Sequence, residues 1–396
     1  MEAQGCDFGS MFSKIGSWVK SIPKIYFFYA IIPQPPMTKL PSLYGLRACS
    51  IVFVILYHLF RFTYPIDDDI LLRIPFLSGR FGVNVFFVIS GFLITYLLMK
   101  EEEKRGAVSL KDFYIRRVLR IFPAYYFLLL VYFILMEMGY IYISHDAWLT
   151  ALTYTKYLNY LHDYYTSHAW SLSIEENFYL FWPVIFLLGS KRVKGYAVLF
   201  IIAIVPFIRV FAYFHPLSWL DEQSIFIRRD AIAMGCFIAL HRERLLQVLG
   251  KHWNDVFLFS VVALLTWSWI SAFAEGTPVF LLFVFLGPLS GTVANICIAL
   301  ILLYSVYGPQ GWWYKMLNTR AFNYIGLLSY SLYLWQQLFI YKRDWWVTHF
   351  PQNLLCIFGA ALFSYYLIER PFLRLKKRFS GKATPQPSPE LRMQSV

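Results

Sequence analysis

Ten apolar runs of near-spanning length recur along this sequence and constrain its fold more than any other feature. They lie at residues 45–64, 80–99, 118–137, 176–189, 196–214, 229–241, 255–273, 279–306, 321–341 and 352–369. A helix needs about 20 mainly apolar residues to cross a bilayer. Only 15% of the chain is charged, whereas a soluble domain has about a quarter. We therefore predict an all-α polytopic membrane protein with about ten transmembrane helices.

The basic residues between these runs predict the orientation. If both termini are cytoplasmic, the inside segments hold 27 of the 36 Lys and Arg residues and the outside loops hold eight, while Arg209 lies within the fifth run. Because positive charge concentrates in cytoplasmic loops, this split favours that orientation. The net charge of +13 does not indicate a nucleic-acid partner, which would require the basic residues on one folded face.

The sequence divides into three parts: a leader at 1–39, a membrane domain at 40–373 and a basic tail at 374–396. In the leader, apolar residues at helical spacing face away from the lysines. This predicts either a helix lying on the membrane surface or a poorly ordered segment. The proline-rich tail predicts partial disorder.

The five cysteines do not indicate a disulfide framework or a metal site. Four fall inside apolar runs, and neither a CxxC pair nor a Cys/His ligand pattern is present. We therefore interpret them as small buried side chains and predict that no metal is required.

Arg47 and His58 form the sharpest local feature. Eleven residues make about three helical turns, so the two side chains share one face, roughly 16 Å apart along the axis. In the predicted orientation Arg47 lies near the cytoplasm and His58 well inside the bilayer. Ionisable groups at that depth usually face a cavity or a partner, and an imidazole can transfer protons near neutral pH. The alternative is a histidine hydrogen-bonded for packing alone.

A second basic cluster, Arg116, Arg117 and Arg120, lies at the predicted cytoplasmic end of the third run. Arg117 and Arg120 are neighbours on a helix. Paired guanidinium groups suit phosphate recognition, although ordinary membrane anchoring explains them equally well. Because Arg47 reaches the same side, we favour a phosphorylated cytosolic ligand.

On the predicted outer side, the segment 170–183 carries Glu175 and Glu176 where the chain re-enters the membrane. One interpretation is acidic charge complementing a helix N-terminus, with Ser171 or Ser173 as the cap. The other is a carboxylate that orients an imidazole or binds an acceptor hydroxyl. Contact between Glu175 and His58 is then conceivable.

These segments together resemble the membrane-bound acyltransferase family 3, O-acyltransferases that modify the sugars of bacterial envelope polymers. The resemblance covers most of residues 40–373, and its blocks occur in order. They are Arg47–x10–His58, the run Gly82 to Ile94 with Ser90-Gly91, Arg116-Arg117-x-x-Arg120, Trp170-Ser171-Leu172-x-x-Glu175, Arg229-Asp230-Ala231 with Gly235, Tyr330 to Trp335, and Glu369-Arg370-Pro371.

The resemblance implies that acyl-CoA, usually acetyl-CoA, is taken from the cytoplasm. The acyl group then reaches a hydroxyl of a saccharide or lipid-linked glycan outside the inner (plasma) membrane, such as lipopolysaccharide O-antigen. His58 would be the base for that hydroxyl or a transient acyl carrier, with Glu175 as the second catalytic group. The implied donor contacts are Arg47, Arg116, Arg117 and Arg120, and the acceptor contacts are Trp170, Ser171, Glu176 and Tyr179.

One position departs from the family pattern. Many relatives have a histidine after the Tyr-Leu-Trp of the ninth run, whereas this sequence has Gln336 and Gln337. Glutamine cannot shuttle protons, so we do not expect a second histidine base there. We expect no extracytoplasmic hydrolase-like domain after the tenth run, and we therefore expect direct transfer by the membrane domain.

Two other classes of function remain open on sequence alone. A solute or lipid-carrier transporter could use His58 and the arginines for anion passage, although no pairing of broken helices is visible. A scaffold in an envelope-synthesis complex would tolerate replacement of Arg47 and His58.

Overall fold

Every predicted apolar run overlaps a helix in the computed structural model, which describes residues 40–62, 79–158, 163–215, 224–274, 280–341, 345–376 and 379. No strand occurs in these ranges. The helices are α1 Leu43–Phe62, α2 Gly79–Arg105, α3 Leu110–Glu137, α4 His145–Leu152, α5 Ala169–Leu188, α6 Lys191–Phe214, α7 Ile225–Leu240, α8 Arg242–Leu249, α9 Trp253–Ala274, α10 Phe280–Tyr307, α11 Trp312–Leu317, α12 Arg320–Ile340, α13 Gln352–Phe363 and α14 Arg370–Lys376.

The membrane character of the chain is confirmed by helices long and apolar enough to span a bilayer. Six such segments occur among the described residues, and they include α1, α3 and α6. In α10, the described apolar stretch is the shorter segment Gly291–Tyr307. The count of ten spans and the cytoplasmic placement of both termini remain predictions. The leader, 1–39, and nearly all of the tail, 374–396, lie outside the described residues.

Helix α5 begins earlier than its apolar run suggests. The run was placed at 176–189, but the helix starts at Ala169, so the expectation that Ser171 or Ser173 caps it is wrong. Both serines lie inside the first turns and are buried. Ser173 Oγ donates to the Ala169 carbonyl at 2.9 Å, an interaction that lets a serine sit within a helix. The early start brings Glu175 into the interior of the bundle.

Close packing of α2 against α7 explains two of the small residues in the family blocks. A Cβ atom added at Gly91 would lie 1.9 Å from the Ile232 carbonyl oxygen, and one at Gly235 would lie 2.1 Å from the Val88 carbonyl oxygen. Only glycine fits such a backbone approach, as is common between membrane helices. The pair fixes the position of α2, whose Ser90 faces the site described below.

Helices α1 and α12 form the other extensive interface that positions functional side chains. Gly326 of α12 lies so close to α1 that an added Cβ atom would be 1.9 Å from the Tyr44 carbonyl oxygen. Further along the same interface, Arg47 and His58 each contact a polar residue of α12. The face shared by Arg47 and His58 therefore points towards α12, as a polar face of a membrane helix should point towards the protein interior.

Candidate functional site

A pocket lies where α1, α2, α3, α5 and α12 meet. Its empty volume is about 790 Å³, counting the part that is open to solvent. Its walls combine apolar side chains from α2 with charged and hydroxyl groups from the other helices. Six residues singled out from the sequence line it: Arg47, Arg117, Arg120, Ser171, Glu175 and Tyr179. The structure therefore brings together two basic elements that are about 70 positions apart in the sequence.

The three arginines give this pocket a positive wall. Arg47 Nε donates to Ser329 Oγ at 3.1 Å, and the Arg117 guanidinium group lies 4.4 Å from the centre of the Tyr179 ring, within the range of a cation–π interaction. Within the described chain, neither Arg117 nor Arg120 donates a hydrogen bond to another side chain or forms an ion pair. Their N–H groups are therefore available to an anionic ligand.

Glu175 is the acidic group of the pocket, and its carboxylate is held on both sides. Ser90 Oγ donates to Oε1 at 2.9 Å, and the Tyr179 hydroxyl donates to Oε2 at 3.3 Å. The charges of Arg47 and Arg117 also act on this carboxylate. Glu175 thus belongs electrostatically with the pocket arginines.

His58 lies in a separate environment near the other end of α1. Its Nδ1 atom is 3.2 Å from Gln336 Oε1 of α12, and its ring stacks on Phe62 with 6.1 Å between ring centres. His58 is not among the residues that line the pocket. In the described part of the chain, Glu175 and His58 do not contact each other.

A second histidine, His168, lies close enough to His58 for the two rings to interact electrostatically. It is only 4% exposed and directly precedes α5. Its carbonyl oxygen accepts a hydrogen bond of 2.8 Å from the Tyr333 hydroxyl, which also lies 2.6 Å from Ser171 Oγ. The imidazole approaches backbone groups of Tyr165 and Leu334, but neither ring nitrogen makes a well-aligned hydrogen bond within the described chain. Tyr333 therefore connects the wall of the pocket to the neighbourhood of His58.

Besides His58, three of the predicted site residues lie outside the pocket lining. Arg116 forms an ion pair with Glu101, with 2.6 Å between NH2 and Oε2. The Trp170 ring packs edge-on against Phe87. Glu176 is half-buried beside Glu175 and interacts electrostatically with Arg117. The catalytic, donor and acceptor roles given to the site residues from the sequence, including those of Arg116, Trp170 and Glu176, all stay predictions.

Several residues that build the site were not predicted as site residues. In the sequence, Ser90 belongs to a family block without a role of its own, and Gln336 is a departure from the family pattern. His168 and Ser329 gave no signal, because an isolated histidine or serine resembles any polar residue near a helix. No group of three or more His, Cys, Asp or Glu residues in the described ranges could hold a metal ion.

Comparison with known proteins agrees with the blocks listed above. The family model for the acyltransferase domain Acyl_transf_3 matches residues 40–370. The O-acetyltransferase OatA of Staphylococcus aureus (strain NCTC 8325) is 29% identical over 379 residues, which cover 87% of this chain and 58% of that protein. The peptidoglycan O-acetyltransferase OatA of Listeria monocytogenes is 28% identical over 319 residues, which cover 74% of this chain and 48% of that protein.

A protein of Staphylococcus aureus (strain COL), provisionally named as an O-acetyltransferase, is 30% identical over 376 residues, or 85% of this chain and 58% of that protein. The chain thus spans about half to three fifths of the length of these relatives. No solved structure matches it at a significant level. Because the domain model covers most of the chain, the protein belongs to acyltransferase family 3 and carries its acyltransferase domain.

Proposed function

We propose that this protein is a membrane O-acyltransferase that uses acyl-CoA, in the first instance acetyl-CoA, and esterifies a hydroxyl group of an envelope saccharide. The observation that carries the proposal is the pocket with three arginines from two helices and a single acidic group, Glu175, in its lining. In the orientation predicted from the loop charges, this pocket is entered from the cytoplasm. The protein would then reside in the inner membrane.

The positive wall suits the phosphate groups of the donor. The guanidinium N–H groups of Arg117 and Arg120 have no acceptor among the described residues, and charged hydrogen bonds to phosphate are about twice as strong as neutral ones. The apolar wall formed by α2 residues such as Phe86 and Leu93 suits the pantetheine chain and the acyl group. An inorganic anion alone would not require that wall.

His58 is the group that we propose for the transfer step. Since an amide oxygen only accepts hydrogen bonds, a ring proton on Nδ1 would be donated to Gln336 Oε1, and this tautomer would leave a lone pair on Nε2. Nε2 can accept the proton of the acceptor hydroxyl while its oxygen attacks the thioester carbonyl. The carbon–sulfur bond then breaks, and the departing thiolate of coenzyme A takes the proton from Nε2, which restores the neutral imidazole. A direct transfer of this kind needs no acyl-histidine intermediate.

The name of one relative supports a glycan acceptor. The Listeria monocytogenes relative is named as a peptidoglycan O-acetyltransferase, and O-antigen of lipopolysaccharide would offer the same chemistry of a sugar hydroxyl. We therefore propose the class, an extracytoplasmic saccharide of the cell envelope, rather than one polymer.

The proposal is tested with the purified protein in nanodiscs, [14C]acetyl-CoA and envelope glycan that has been de-O-acetylated with mild alkali. The native protein should transfer label to alkali-labile esters on the glycan, and His58→Ala should lose at least a hundredfold in rate, as expected for removal of a general base. Equal insertion and stability of the two proteins is the control. Persistence of transfer in His58→Ala would exclude the proposed base, and a protein that neither transfers nor hydrolyses acetyl-CoA would favour a transporter.

A further inference from the structure

Buried polar atoms that lack a well-aligned hydrogen-bond partner gather around His58. In the described chain they include the Tyr164 hydroxyl, both ring nitrogens of His168, Gln336 Nε2 and Gln337 Oε1. Three of these four residues are less than 5% exposed. More than nine tenths of buried polar groups in folded proteins find a partner, so a local group of five calls for an explanation.

These atoms belong to one neighbourhood at the junction of α1, α12 and the segment before α5. Gln336 contacts His58 directly, and the neighbouring Gln337 donates from Nε2 to the Tyr164 carbonyl oxygen at 2.9 Å. The Tyr164 ring packs edge-on against Phe62, with 5.1 Å between ring centres, and Phe62 stacks on His58. These contacts link Gln336, Gln337 and Tyr164 to the proposed base, and His168 interacts with it electrostatically.

The chemistry of the unpartnered atoms identifies what would satisfy them. An amide Nε2 needs an acceptor, an amide Oε1 needs a donor, and a tyrosine hydroxyl and a neutral imidazole can each use either. An anion would leave Gln337 Oε1 unsatisfied, and a cation would leave Gln336 Nε2 unsatisfied. A hydroxyl group donates and accepts at once, and the aromatic rings of Phe62 and Tyr164 offer the apolar surface on which a sugar ring packs.

We propose that Tyr164, His168, Gln336 and Gln337 form the subsite that binds the acceptor hydroxyl and its neighbours on a polyhydroxylated ring beside His58. This inference rests on the proposed function and assigns the acceptor to this cluster, away from the arginine-lined pocket. Side chains must shift to admit the sugar, because the unpartnered atoms are now enclosed. The donor would then approach His58 from the pocket, past Ser171 and Tyr333.

The sharpest test is Tyr164→Phe, which removes one enclosed hydroxyl and keeps the ring. Deleting a buried hydroxyl that lacks a partner should leave the melting temperature unchanged or raise it. If the acceptor uses this hydroxyl, the KM for de-O-acetylated envelope glycan should rise about three- to tenfold, the value of one hydrogen bond. The KM for acetyl-CoA should not change. His168→Asn should raise the glycan KM in the same way.

Tyr154→Phe is the matched control. The Tyr154 hydroxyl is also buried without a hydrogen bond in the described chain, but its ring packs against Phe122 and Tyr125, away from His58. The Tyr154→Phe variant should leave the KM for the glycan and the KM for acetyl-CoA unchanged.

An unchanged glycan KM in Tyr164→Phe and His168→Asn would overturn the subsite. A fall in kcat with an unchanged KM would also overturn it, because that result indicates a chain of water molecules serving proton transfer. If the native protein transfers no label at all, the proposed function fails together with the subsite. If the native protein transfers label normally but Tyr164→Phe and His168→Asn leave the glycan KM unchanged, as Tyr154→Phe should, the subsite alone fails.

Discussion

His58 Nδ1 lies 3.2 Å from Gln336 Oε1, and this contact joins the first and the ninth of the predicted spans. The two helices pack extensively, so the amide is held firmly against the imidazole. A partner on one ring nitrogen determines which nitrogen is free to accept a proton. Gln336, which cannot itself shuttle protons, is therefore well placed to position the residue that does.

Replacement of Gln336 by leucine should lower the rate of acetyl transfer on the order of tenfold. This is less than the 10²–10⁴-fold contribution of a general base itself, since the imidazole remains but its proton is no longer held on Nδ1. The change should appear in kcat, and the KM for acetyl-CoA should stay the same. Steady-state kinetics with labelled donor measures both. Gln247→Leu, an exposed position on α8, is the control, and a variant as active as that control would exclude the positioning role.

The positions of the helices were predictable from the sequence, whereas the contact between His58 and Gln336 was not. Run length and composition report whether a segment is apolar enough to span a bilayer, and helical spacing relates residues only within one helix. The 278 positions between His58 and Gln336 carry no such periodic relation. Sequence therefore predicted that Arg47 and His58 share a face, but it did not predict which helix that face meets.

The start of α5 shows a second limit. Apolar content predicted its span from residue 176, because Ser171, Ser173 and the two glutamates interrupt the run. In the structure these polar residues are satisfied inside the protein, by Tyr333 for Ser171 and by Ser90 for Glu175. Such partners come from other helices, so a single sequence does not reveal them.

Replacement of Arg117 or Arg120 by glutamine should raise the KM for acetyl-CoA by about ten- to a hundredfold, as expected for loss of a charged hydrogen bond. The KM for the glycan should stay unchanged. The effect should be much smaller with S-acetyl-pantetheine as the donor, because it lacks the phosphates. Kinetics with the two donors separates charge recognition from general damage.

Arg116→Gln is the control for the Arg117 and Arg120 variants. Its guanidinium group already has Glu101 as a partner and does not line the pocket. We expect an acetyl-CoA KM within about threefold of the native value, well inside 1 kcal/mol. If Arg116→Gln raises the KM for acetyl-CoA as much as Arg117→Gln does, Arg116 contacts the donor, as predicted from the sequence.

The Glu175→Gln variant should bind acetyl-CoA a few-fold more tightly, because the substitution removes a negative charge that repels the donor phosphates by ~1 kcal/mol. The same change leaves Arg47 and Arg117 without a compensating charge in the empty pocket, so the melting temperature should fall. Equilibrium binding of CoA and thermal unfolding in detergent measure the two effects. If Glu175 acts through His58 instead, the affinity for CoA will not change, and only the rate of acetyl transfer will fall.

Asp230→Asn tests whether the bundle depends on a buried ion pair that does not line the pocket. Asp230 is fully buried on α7, and its Oδ1 lies 2.6 Å from Arg209 NH2 of α6. Thr292 of α10 donates to Oδ2 at 2.7 Å, so three helices meet at one carboxylate. Removing the negative charge leaves the arginine charge uncompensated, which should lower the free energy of unfolding by about 3–5 kcal/mol. Unfolding in mixed micelles measures this loss, and the KM values should not change.

The double variant Arg209→Met, Asp230→Leu decides between two explanations for that loss. If the cost of Asp230→Asn arises from the unpaired Arg209 charge, removing both charges should restore most of the stability, because apolar replacements of a buried pair are often neutral or stabilising. If the double variant is as unstable as the single one, the carboxylate is needed to join α6, α7 and α10 through hydrogen bonds to Thr292. Because the family block Arg229-Asp230-Ala231 contains this residue, the comparison also shows whether that block serves the fold or the site.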